Sequence, residues 1–473
     1  MTDHNNSETT SKPYTLAWES LQQHPDPQWF DDGKFGIYFH WGPYSVPAFD
    51  NEWYSRNMYL EGHVAHEHHK STYGPLSQFS YKEFIPMFTG EHFDADEWSD
   101  LFKRSGAKFA GPVAEHADGF AMWDTKYSPY HSVAMGPKRN IVAEMEKAVR
   151  KHGMKYITTF HHMWLWAWFP TFNKELDTSD PANAGLYGPF TEPGAFDEPQ
   201  PDDAFCDLFI NKIKEVVDAY EPDLLWFDAR MDTISEKHRQ DFVAHYYNQA
   251  EKWGREVGIT YKNEDLAAGS GILDVERGRM SGLRPFKWLT DDSICWKSWA
   301  NLHEPEYKSV KRLVDSLVDI VSKNGNLLLN IPPEANGRIP DPVRERLLGI
   351  GEWLKVNGEG IYGTRPFHTF GEGPTQVQEG HFSEKENADF TAADIRYTTK
   401  DKTIYAICMG WPTNEITLKS IQPQIVAPAQ ITSVELLGAA DQLMWKLDDT
   451  GLTISPPNTR PSEHAITFKI NLA

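Results

Sequence analysis

Cysteine is scarce in this chain, with three residues among 473. Cys206, Cys295 and Cys408 lie far apart, are odd in number and form no CxxC pair. This spacing excludes a disulfide framework and a zinc knuckle, because both need cysteines at paired, closely set positions. We expect all three to be buried free thiols.

Positive charge is also in deficit. The chain carries 46 Lys and Arg against 68 Asp and Glu, which gives a formal net charge of −22 at pH 7. Such a surface repels the phosphates of nucleic acids and anionic lipids, so neither is expected as a partner. A highly sulfated or acidic polymer is disfavoured as well, unless a local patch of Lys and Arg receives it.

Long hydrophobic runs are missing too. No stretch approaches the roughly 18 to 20 apolar residues that cross a bilayer, so we expect no membrane-spanning helix. The first residues, MTDHNNSETTSK, are polar and lack both the basic and the apolar region of a secretory signal. This pattern predicts a cytoplasmic location.

Tryptophan, by contrast, is abundant, with 17 residues, which is well above ordinary usage. The indole ring stacks on the apolar face of a sugar but also fills protein cores, so abundance alone decides nothing. Trp164, Trp166 and Trp168 alternate at strand spacing. They are open to two interpretations, a sugar platform or a packed aromatic cap over the fold.

The first three quarters of the chain show a mixed helix and strand pattern. From about residue 34 to 360, short apolar runs alternate with amphipathic stretches, which is typical of a parallel sheet with crossover helices. The candidate strands cover residues 34–40, 108–115, 155–161, 223–228, 257–262 and 326–331. The predicted helices lie near residues 140–152, 204–220, 235–253, 307–323 and 341–357.

The last quarter follows the two-residue period of half-buried strands. We therefore predict an α/β fold, a (β/α)₈-like TIM-type barrel followed by a C-terminal all-β sandwich domain. The predicted divisions are a disordered tail over residues 1–14, the catalytic barrel over 15–360 and the sandwich over 361–473. Residues 371–389, rich in Gly, Glu and Ser, are predicted to form a loop between the first strands of the sandwich.

Polar residues gather where the candidate strands end. His40 follows the first strand, His116 the second, His161 and His162 the third, and Asp228 the fourth. Barrels of this class build their active site from the C-terminal ends of the strands. We therefore expect these side chains to converge on one site.

Asp228 directly follows the apolar run Leu224 to Phe227, and an unpaired charge at the edge of a packed interior is costly. Two interpretations account for it. Either the carboxylate forms a salt bridge with Arg230 or Lys287, or it is a catalytic nucleophile or base.

Residues 34–54, KFGIYFHWGPYSVPAFDNEWY, resemble the opening signature of the α-L-fucosidases of glycoside hydrolase family 29. Further resemblances follow in the same order: EHADGFAMWDT at 115–125, LLWFDAR at 224–230, ERG at 276–278, SW at 298–299, IVSKNGNLLLNIPPEANGRIP at 320–340 and IYGTRPF at 361–367. The resemblance implies a retaining exo-α-L-fucosidase that acts on fucosylated oligosaccharides or glycoconjugates and needs no metal or other cofactor.

The family also implies site residues. The aspartate at the position of Asp228 is the nucleophile in these enzymes. The implied fucose pocket consists of His40, Glu52, Trp53, His116, Trp123 and Trp299, completed by His161 or His162. Imidazoles and a carboxylate suit the hydroxyls of fucose, and tryptophan suits its methyl group and C–H face.

The acid/base of the family lies in a variable stretch after the nucleophile. Glu276, 48 residues beyond Asp228, is our choice, with Glu264 as the runner-up and Asp292 third. A retaining pair of carboxyl groups lies about 5 to 5.5 Å apart, against about 6.5 to 9.5 Å in an inverting enzyme.

Many relatives carry two adjacent histidines at the positions of residues 116–117, and this chain does not. Its sequence also differs from theirs at residues 288–289 and 298–301. One contact to a fucose hydroxyl is therefore either missing or supplied from elsewhere, for example by His162 or Glu115.

Two other functions stay open. A metal-dependent sugar hydrolase or isomerase on the same barrel would use His40, His116, His161 and Asp228 as ligands, and a fucose-binding protein would keep the pocket without turnover. The His-rich residues 63–69 form no HExxH motif, because position 70 is Lys, so we expect a solvated loop rather than a metal site. Assembly into a homo-oligomer is left open.

Overall fold

The computed structural model describes residues 13–440 and 442–473. Its first part is a closed barrel of eight parallel strands that follow one another in chain order: β1 (Phe35–Phe39), β2 (Phe109–Glu115), β3 (Lys155–Phe160), β4 (Leu224–Phe227), β5 (Gly258–Lys262), β6 (Ile272–Asp274), β7 (Trp288–Ser293) and β8 (Gly325–Ile331). β1 pairs with both β2 and β8, and this pairing closes the barrel.

The six predicted strands are β1 to β5 and β8, and β6 and β7 are additional. β6 has three residues, and β7 reads WLTDDS, so neither resembles an apolar run. All residues of β7 are nevertheless buried, because its two aspartates have buried partners. Asp291 accepts a hydrogen bond from the Tyr38 hydroxyl at 3.1 Å, and Asp292 forms an ion pair with Lys308.

Eleven α-helices accompany the described barrel residues: α1 (Trp18–Leu21), α2 (Gln28–Gly33), α3 (Tyr54–Asn57), α4 (Val64–Thr72), α5 (Ala95–Arg104), α6 (Ile141–Lys151), α7 (Ala184–Tyr187), α8 (Asp203–Tyr220), α9 (Glu236–Trp253), α10 (Val310–Ser322) and α11 (Asp341–Asn357). The five predicted helices are α6 and α8 to α11. Residues 263–271 and 275–287, all described, contain no α-helix, so β5, β6 and β7 are joined by loops alone.

The C-terminal part is all-β. Its strands are β9 (Arg365–Glu372), β10 (Ile395–Lys400), β11 (Thr403–Cys408), β12 (Ile416–Leu418), β13 (Ile431–Leu436), β14 (Trp445–Asp448), β15 (Gly451–Ile454) and β16 (Ile466–Leu472). They form an antiparallel sheet in the order β13-β16-β11-β10-β9 and a smaller one in the order β12-β15-β14. Apolar side chains of both sheets share one core. The predicted fold class is therefore confirmed.

Two local predictions are wrong. Residues 63–69 are not a loop, because His63 caps the helix α4 by accepting a hydrogen bond from the Ala65 amide. The stretch from Trp164 to Trp168 is not a strand, since it begins in a 3₁₀ helix, His162–Leu165. In both stretches, local hydrogen bonds and packing outweigh the pattern of residue types.

Several other expectations concern the chain as a whole. The predicted tail, residues 1–14, lies outside the described residues except for its last two. The predicted domain limits stay a prediction. All three cysteines are buried and free, as expected. No helix in the described part of the chain is long and apolar enough to cross a membrane.

A buried ion cluster joins the barrel to the C-terminal sheet. Asp319 of α10 pairs with Arg396 of β10 (Oδ1 to Nε, 2.6 Å) and with Lys323 (Oδ2 to Nζ, 2.8 Å). Each of these side chains is at most 2% exposed. Burial alone would raise the pKa of Asp319, but the cations Lys323, Arg396 and Arg279 outweigh it and lower that pKa to about 2.

Replacing Arg396 by Leu should lower the free energy of unfolding by about 3 to 5 kcal/mol, because it removes one cation from a buried, charged carboxylate. Urea denaturation followed by tryptophan fluorescence measures this loss. The matched control, Lys446→Met, removes a cation from an exposed pair with Asp448 and should change the free energy of unfolding far less, because water and salt screen such a pair. Equal losses in the two variants would contradict a special role for the junction.

Candidate active site

A pocket of about 330 Å³ opens at the C-terminal end of the barrel. The strands β1 to β7, or the residues directly after them, all contribute to its lining. The predicted site residues that line it are His40, Glu52, Trp53, His116, His161, Asp228, Glu276 and Trp299. The structure therefore brings eight of the predicted site residues together around one pocket.

Two predicted pocket residues lie outside it and face α8 instead. The Trp123 indole donates a hydrogen bond to Oε2 of Glu215 at 2.8 Å, and Nε2 of His162 bonds to the Phe209 carbonyl at 3.2 Å. His161 faces the pocket, whereas His162 begins the 3₁₀ helix that follows β3 and its ring is directed toward α8.

The remaining candidates for a fucose contact or for the acid/base also lie outside the pocket. Glu115 is fully buried in an ion pair with Lys212 of α8 (Oε1 to Nζ, 2.6 Å), so it does not replace the missing family contact. Glu264 is exposed on the loop after β5. Asp292 pairs with Lys308 and does not line the pocket.

The ammonium group of Lys262 is the centre of the pocket. Its Nζ lies 3.1 Å from Oδ1 of Asp228 and 2.6 Å from Oε2 of Glu276. It also lies 3.9 Å from Asp274 and 3.5 Å from Asp291. Lys262 is 1% exposed, so it is a buried cation shared by four carboxylates.

Neither predicted salt-bridge partner contacts Asp228. Arg230 donates to the carbonyl of Phe196 and covers its ring, and Lys287 pairs with Asp31. Oδ1 of Asp228 accepts from the Ala229 amide at 2.8 Å in addition to Lys262. Its partner is therefore a group within the same pocket.

Burial and the ion pairs with Lys262 shift the pKa values of these groups in opposite directions. Burial raises the pKa of Glu276 to about 7; Lys262 opposes this rise, and the neighbouring carboxylates Asp291 and Asp228 each add a smaller contribution to it. Burial likewise raises the pKa of Asp274 to about 6. For Lys262 itself, burial lowers the pKa, but the surrounding carboxylates outweigh it and the pKa is raised well above its usual value. The lysine is a permanent cation, and Glu276 exchanges its proton near neutral pH.

Three neutral histidines form the opposite side of the pocket. Burial lowers the pKa of His40 to about 4 and those of His116 and His161 well below the usual value. Nδ1 of His40 bonds to the Asn330 side-chain oxygen at 2.8 Å and must carry the proton, which leaves Nε2 to accept from Nε2 of His161 at 3.2 Å. Nitrogens of the three rings lie within 4.8 Å of one another, close enough to hold a metal ion or to bind neighbouring sugar hydroxyls.

A segment of the C-terminal part, residues 379–384, closes the pocket; we call it the return segment. The Phe382 amide donates to the Glu276 carbonyl at 2.8 Å, and the Glu276 amide donates to Nδ1 of His381 at 3.0 Å. The side chain of Glu384 pairs with Arg277 at 2.8 Å. Phe382 lines the pocket directly, so the loop predicted over residues 371–389 carries part of the site.

Sequence reasoning missed Lys262, Asp291 and Phe382. Lys262 is the last residue of a predicted strand, the same position that drew attention to Asp228, so this signal was present. Asp291 lies in β7, and the polar sequence of this strand does not predict a strand. Phe382 has no local signal, because only the fold brings it next to Glu276.

Comparison with known proteins places this geometry in a family. The family model described as alpha-L-fucosidase matches residues 1–359, and the one described as alpha-L-fucosidase C-terminal domain matches residues 387–471. The chain belongs to the α-L-fucosidase family. The resemblance to the family 29 α-L-fucosidases is thus confirmed, and the protein is a glycoside hydrolase.

Relatives of this α-L-fucosidase match nearly its whole length. Tissue alpha-L-fucosidase of Rattus norvegicus is 31% identical over 97% of this chain and 92% of its own. Plasma alpha-L-fucosidase of Homo sapiens is 32% identical over 93% of this chain and 88% of its own. A crystal structure of the Thermotoga maritima alpha-fucosidase in complex with fucose is 30% identical, with a TM-score of 0.77 over 97% of this chain and 100% of that one.

These names correct one prediction. The cytoplasmic location inferred from the first twelve residues is wrong, because relatives of this α-L-fucosidase are named plasma and tissue enzymes, and plasma is an extracellular fluid. The residues on which that prediction rested also lie outside the described part of the structure.

Replacing Lys262 by Met should destabilise the fold in a pH-dependent way. Without the cation, the folded-state pKa values of Glu276 and Asp274 rise further above their unfolded values. A group whose folded pKa is raised contributes stability at low pH and loses it as pH rises through that pKa. The loss relative to wild type should therefore be about 3 to 5 kcal/mol at pH 8 and smaller at pH 5.

Melting temperatures at pH 5 and pH 8 measure this difference. Lys287→Met is the matched control, since Lys287 pairs with Asp31 outside the pocket, and its loss should not follow the titration of Glu276. A deficit in Lys262→Met that stays constant between the two pH values would contradict the shared-cation interpretation.

Proposed function

We propose that this α-L-fucosidase is a retaining exo-enzyme that releases terminal α-L-fucosyl residues from oligosaccharides or glycoconjugates by double displacement. Asp228 is the nucleophile and Glu276 is the acid/base. A fucosylated glycan is the substrate, and no cofactor takes part in the steps that these two residues perform.

One geometric observation carries the proposal. Asp228 and Glu276 contact the same ammonium group at 3.1 and 2.6 Å. These two distances add to 5.7 Å, which is the largest separation that the two contacting oxygens can have. The bound lies close to the spacing of about 5 to 5.5 Å in retaining glycosidases and below the range of about 6.5 to 9.5 Å in inverting ones.

The environments of the two carboxylates support different roles. Oδ1 of Asp228 accepts hydrogen bonds from Lys262 and the Ala229 amide, so Oδ2 is the atom available to attack the anomeric carbon. Glu276, with its pKa raised by burial to about 7, retains a proton near neutral pH. A carboxyl group that keeps its proton near neutral pH can serve as the general acid of a glycosidase.

The reaction then proceeds in two balanced steps. Asp228 bonds to the anomeric carbon while the bond to the leaving oxygen breaks, and the proton of Glu276 passes to that oxygen. The ionised Glu276 next accepts a proton from water, and the resulting hydroxide displaces Asp228 from the sugar. Two inversions restore the original anomeric configuration.

The pocket suits a single terminal fucose. Neutral imidazoles of His40, His116 and His161 donate to and accept from hydroxyls without an added charge, and Trp53 and Trp299 offer apolar faces to the methyl and C–H groups. The Thermotoga maritima alpha-fucosidase, 30% identical, was solved in complex with fucose, which supports this assignment of the sugar.

Replacing Asp228 by Gly should lower kcat on 4-nitrophenyl α-L-fucoside at least about 10³-fold, because the covalent step is lost. Azide should restore part of the turnover and yield the β-L-fucosyl azide, since it attacks from the side that Asp228 occupied. Asp232→Gly, on the same loop but exposed, serves as the control and should keep near-normal turnover. Near-normal activity in Asp228→Gly would overturn the mechanism.

Replacing Glu276 by Ala should slow substrates with poor leaving groups about 10²- to 10⁴-fold and activated aryl fucosides far less, because only the former need a proton. In wild type, kcat/KM should fall as pH rises through about 7, where Glu276 loses its proton, and the variant should lack this fall. If Glu264→Ala shows this behaviour instead, the acid/base is Glu264.

A further inference from the structure

A second cavity, of about 290 Å³, adjoins the fucose pocket. It shares Glu52, Trp299 and Phe382 with that pocket and adds Trp296, Lys297 and Lys385, among others. The shared residues form a common wall, so a ligand can extend from one cavity into the other.

The cavity lies on the side of the proposed acid/base. Arg277, the residue after Glu276, lines it, and the Phe382 amide donates to the Glu276 carbonyl at 2.8 Å. Because Glu276 protonates the oxygen between fucose and the rest of the glycan, the next sugar unit must lie on this side. The cavity is therefore placed where the leaving group emerges.

Phe382 has two unusual properties for an aromatic residue. Its side chain is 60% exposed, and its backbone has a φ of +56°, a region in which a bulky residue is an outlier. Strain of this kind concentrates at functional sites. An exposed ring held in a strained conformation at the mouth of a sugar pocket suits stacking against a sugar face.

The charged side chains of this cavity that are available to a ligand are cations, because the acidic ones are bound by donors within the protein. Of its acidic residues, Glu384 pairs with Arg277 and Lys308, and Glu52 accepts from the Trp299 amide and the Ser298 hydroxyl. Both acidic groups are thus engaged by donors within the protein.

The two lysines of the cavity are available to a ligand. Lys297 is 55% exposed and has one distant partner, Glu306, at 3.6 Å, while Lys385 is exposed and forms no ion pair with the residues that the structure describes. The net charge of −22 opposes anions at long range, but salt screens it beyond about 8 Å at physiological ionic strength. The nearby lysines therefore dominate inside the cavity.

We propose that this cavity is the subsite for the sugar next to fucose and that it selects a negatively charged sugar, one with a carboxylate or a sulfate ester. Lys297 and Lys385 bind the anionic group, and Phe382 stacks on the ring. The inference rests on the proposed function, because it assigns the leaving group to the Glu276 side.

The test compares three disaccharides that differ only at C6 of the galactose unit: α-L-fucosyl galactoside, its galactose 6-sulfate form and the corresponding galacturonide. Wild type should have a kcat/KM about three- to tenfold higher for at least one anionic form than for the neutral one, mainly through KM. The preference should disappear in about 0.5 M NaCl, where charges are screened over a few ångströms. The preferred anion distinguishes sulfate from carboxylate.

The double variant Lys297→Gln/Lys385→Gln should lose this preference and keep wild-type kcat/KM on 4-nitrophenyl α-L-fucoside. The double variant Lys402→Gln/Lys446→Gln, at two exposed lysines of the C-terminal part, controls for the change in net charge and should retain the preference. Equal kcat/KM for neutral and anionic forms in wild type, or a preference that survives in Lys297→Gln/Lys385→Gln, would overturn the inference. Absence of turnover on the aryl fucoside in wild type would instead overturn the proposed function.

Discussion

The ammonium group of Lys262 lies within 4 Å of four carboxylates in a buried setting, and the arrangement of the pocket depends on this contact. One cation cannot neutralise four acids, so the remaining negative charge favours proton uptake by the most buried members. At the same time the lysine draws Asp228 and Glu276 toward a common point. The lysine thus fixes the spacing of the two carboxylates, while burial and the neighbouring carboxylates raise the pKa of Glu276 against its effect.

The barrel was predictable where strands are apolar on both faces, as in β4, because a buried parallel strand has few polar residues. The same rule fails at β7, where Asp291 and Asp292 are buried with partners that lie far away in sequence. A strand that supplies carboxylates to an active site cannot consist of apolar residues alone, so its sequence lacks the apolar run that predicts a buried strand. The region hardest to predict is therefore the part of the barrel that holds the acidic cluster.

Within the site, the sequence indicated which strand ends meet but not which of two neighbouring residues faces inward. His116 and His161 line the pocket, while Glu115 and His162 interact with α8. At the end of β2 direction alternates along extended backbone, and after β3 the chain turns into a 3₁₀ helix at His162, so in both places a shift of one residue exchanges inside for outside. The register that decides this is a property of the assembled barrel, and the pattern of residue types does not contain it.

The return segment follows the barrel in the chain, so it is synthesised after the rest of the pocket. Residues 379–384 reach Glu276 from a point about a hundred positions further along the chain, and they connect β9 to β10 of the C-terminal sheet. During synthesis the barrel sequence leaves the ribosome first and has an open pocket until this sheet has formed. The pocket is therefore completed late, and a chain that ends after α11 contains Asp228 and Glu276 but lacks the return segment that contacts Glu276.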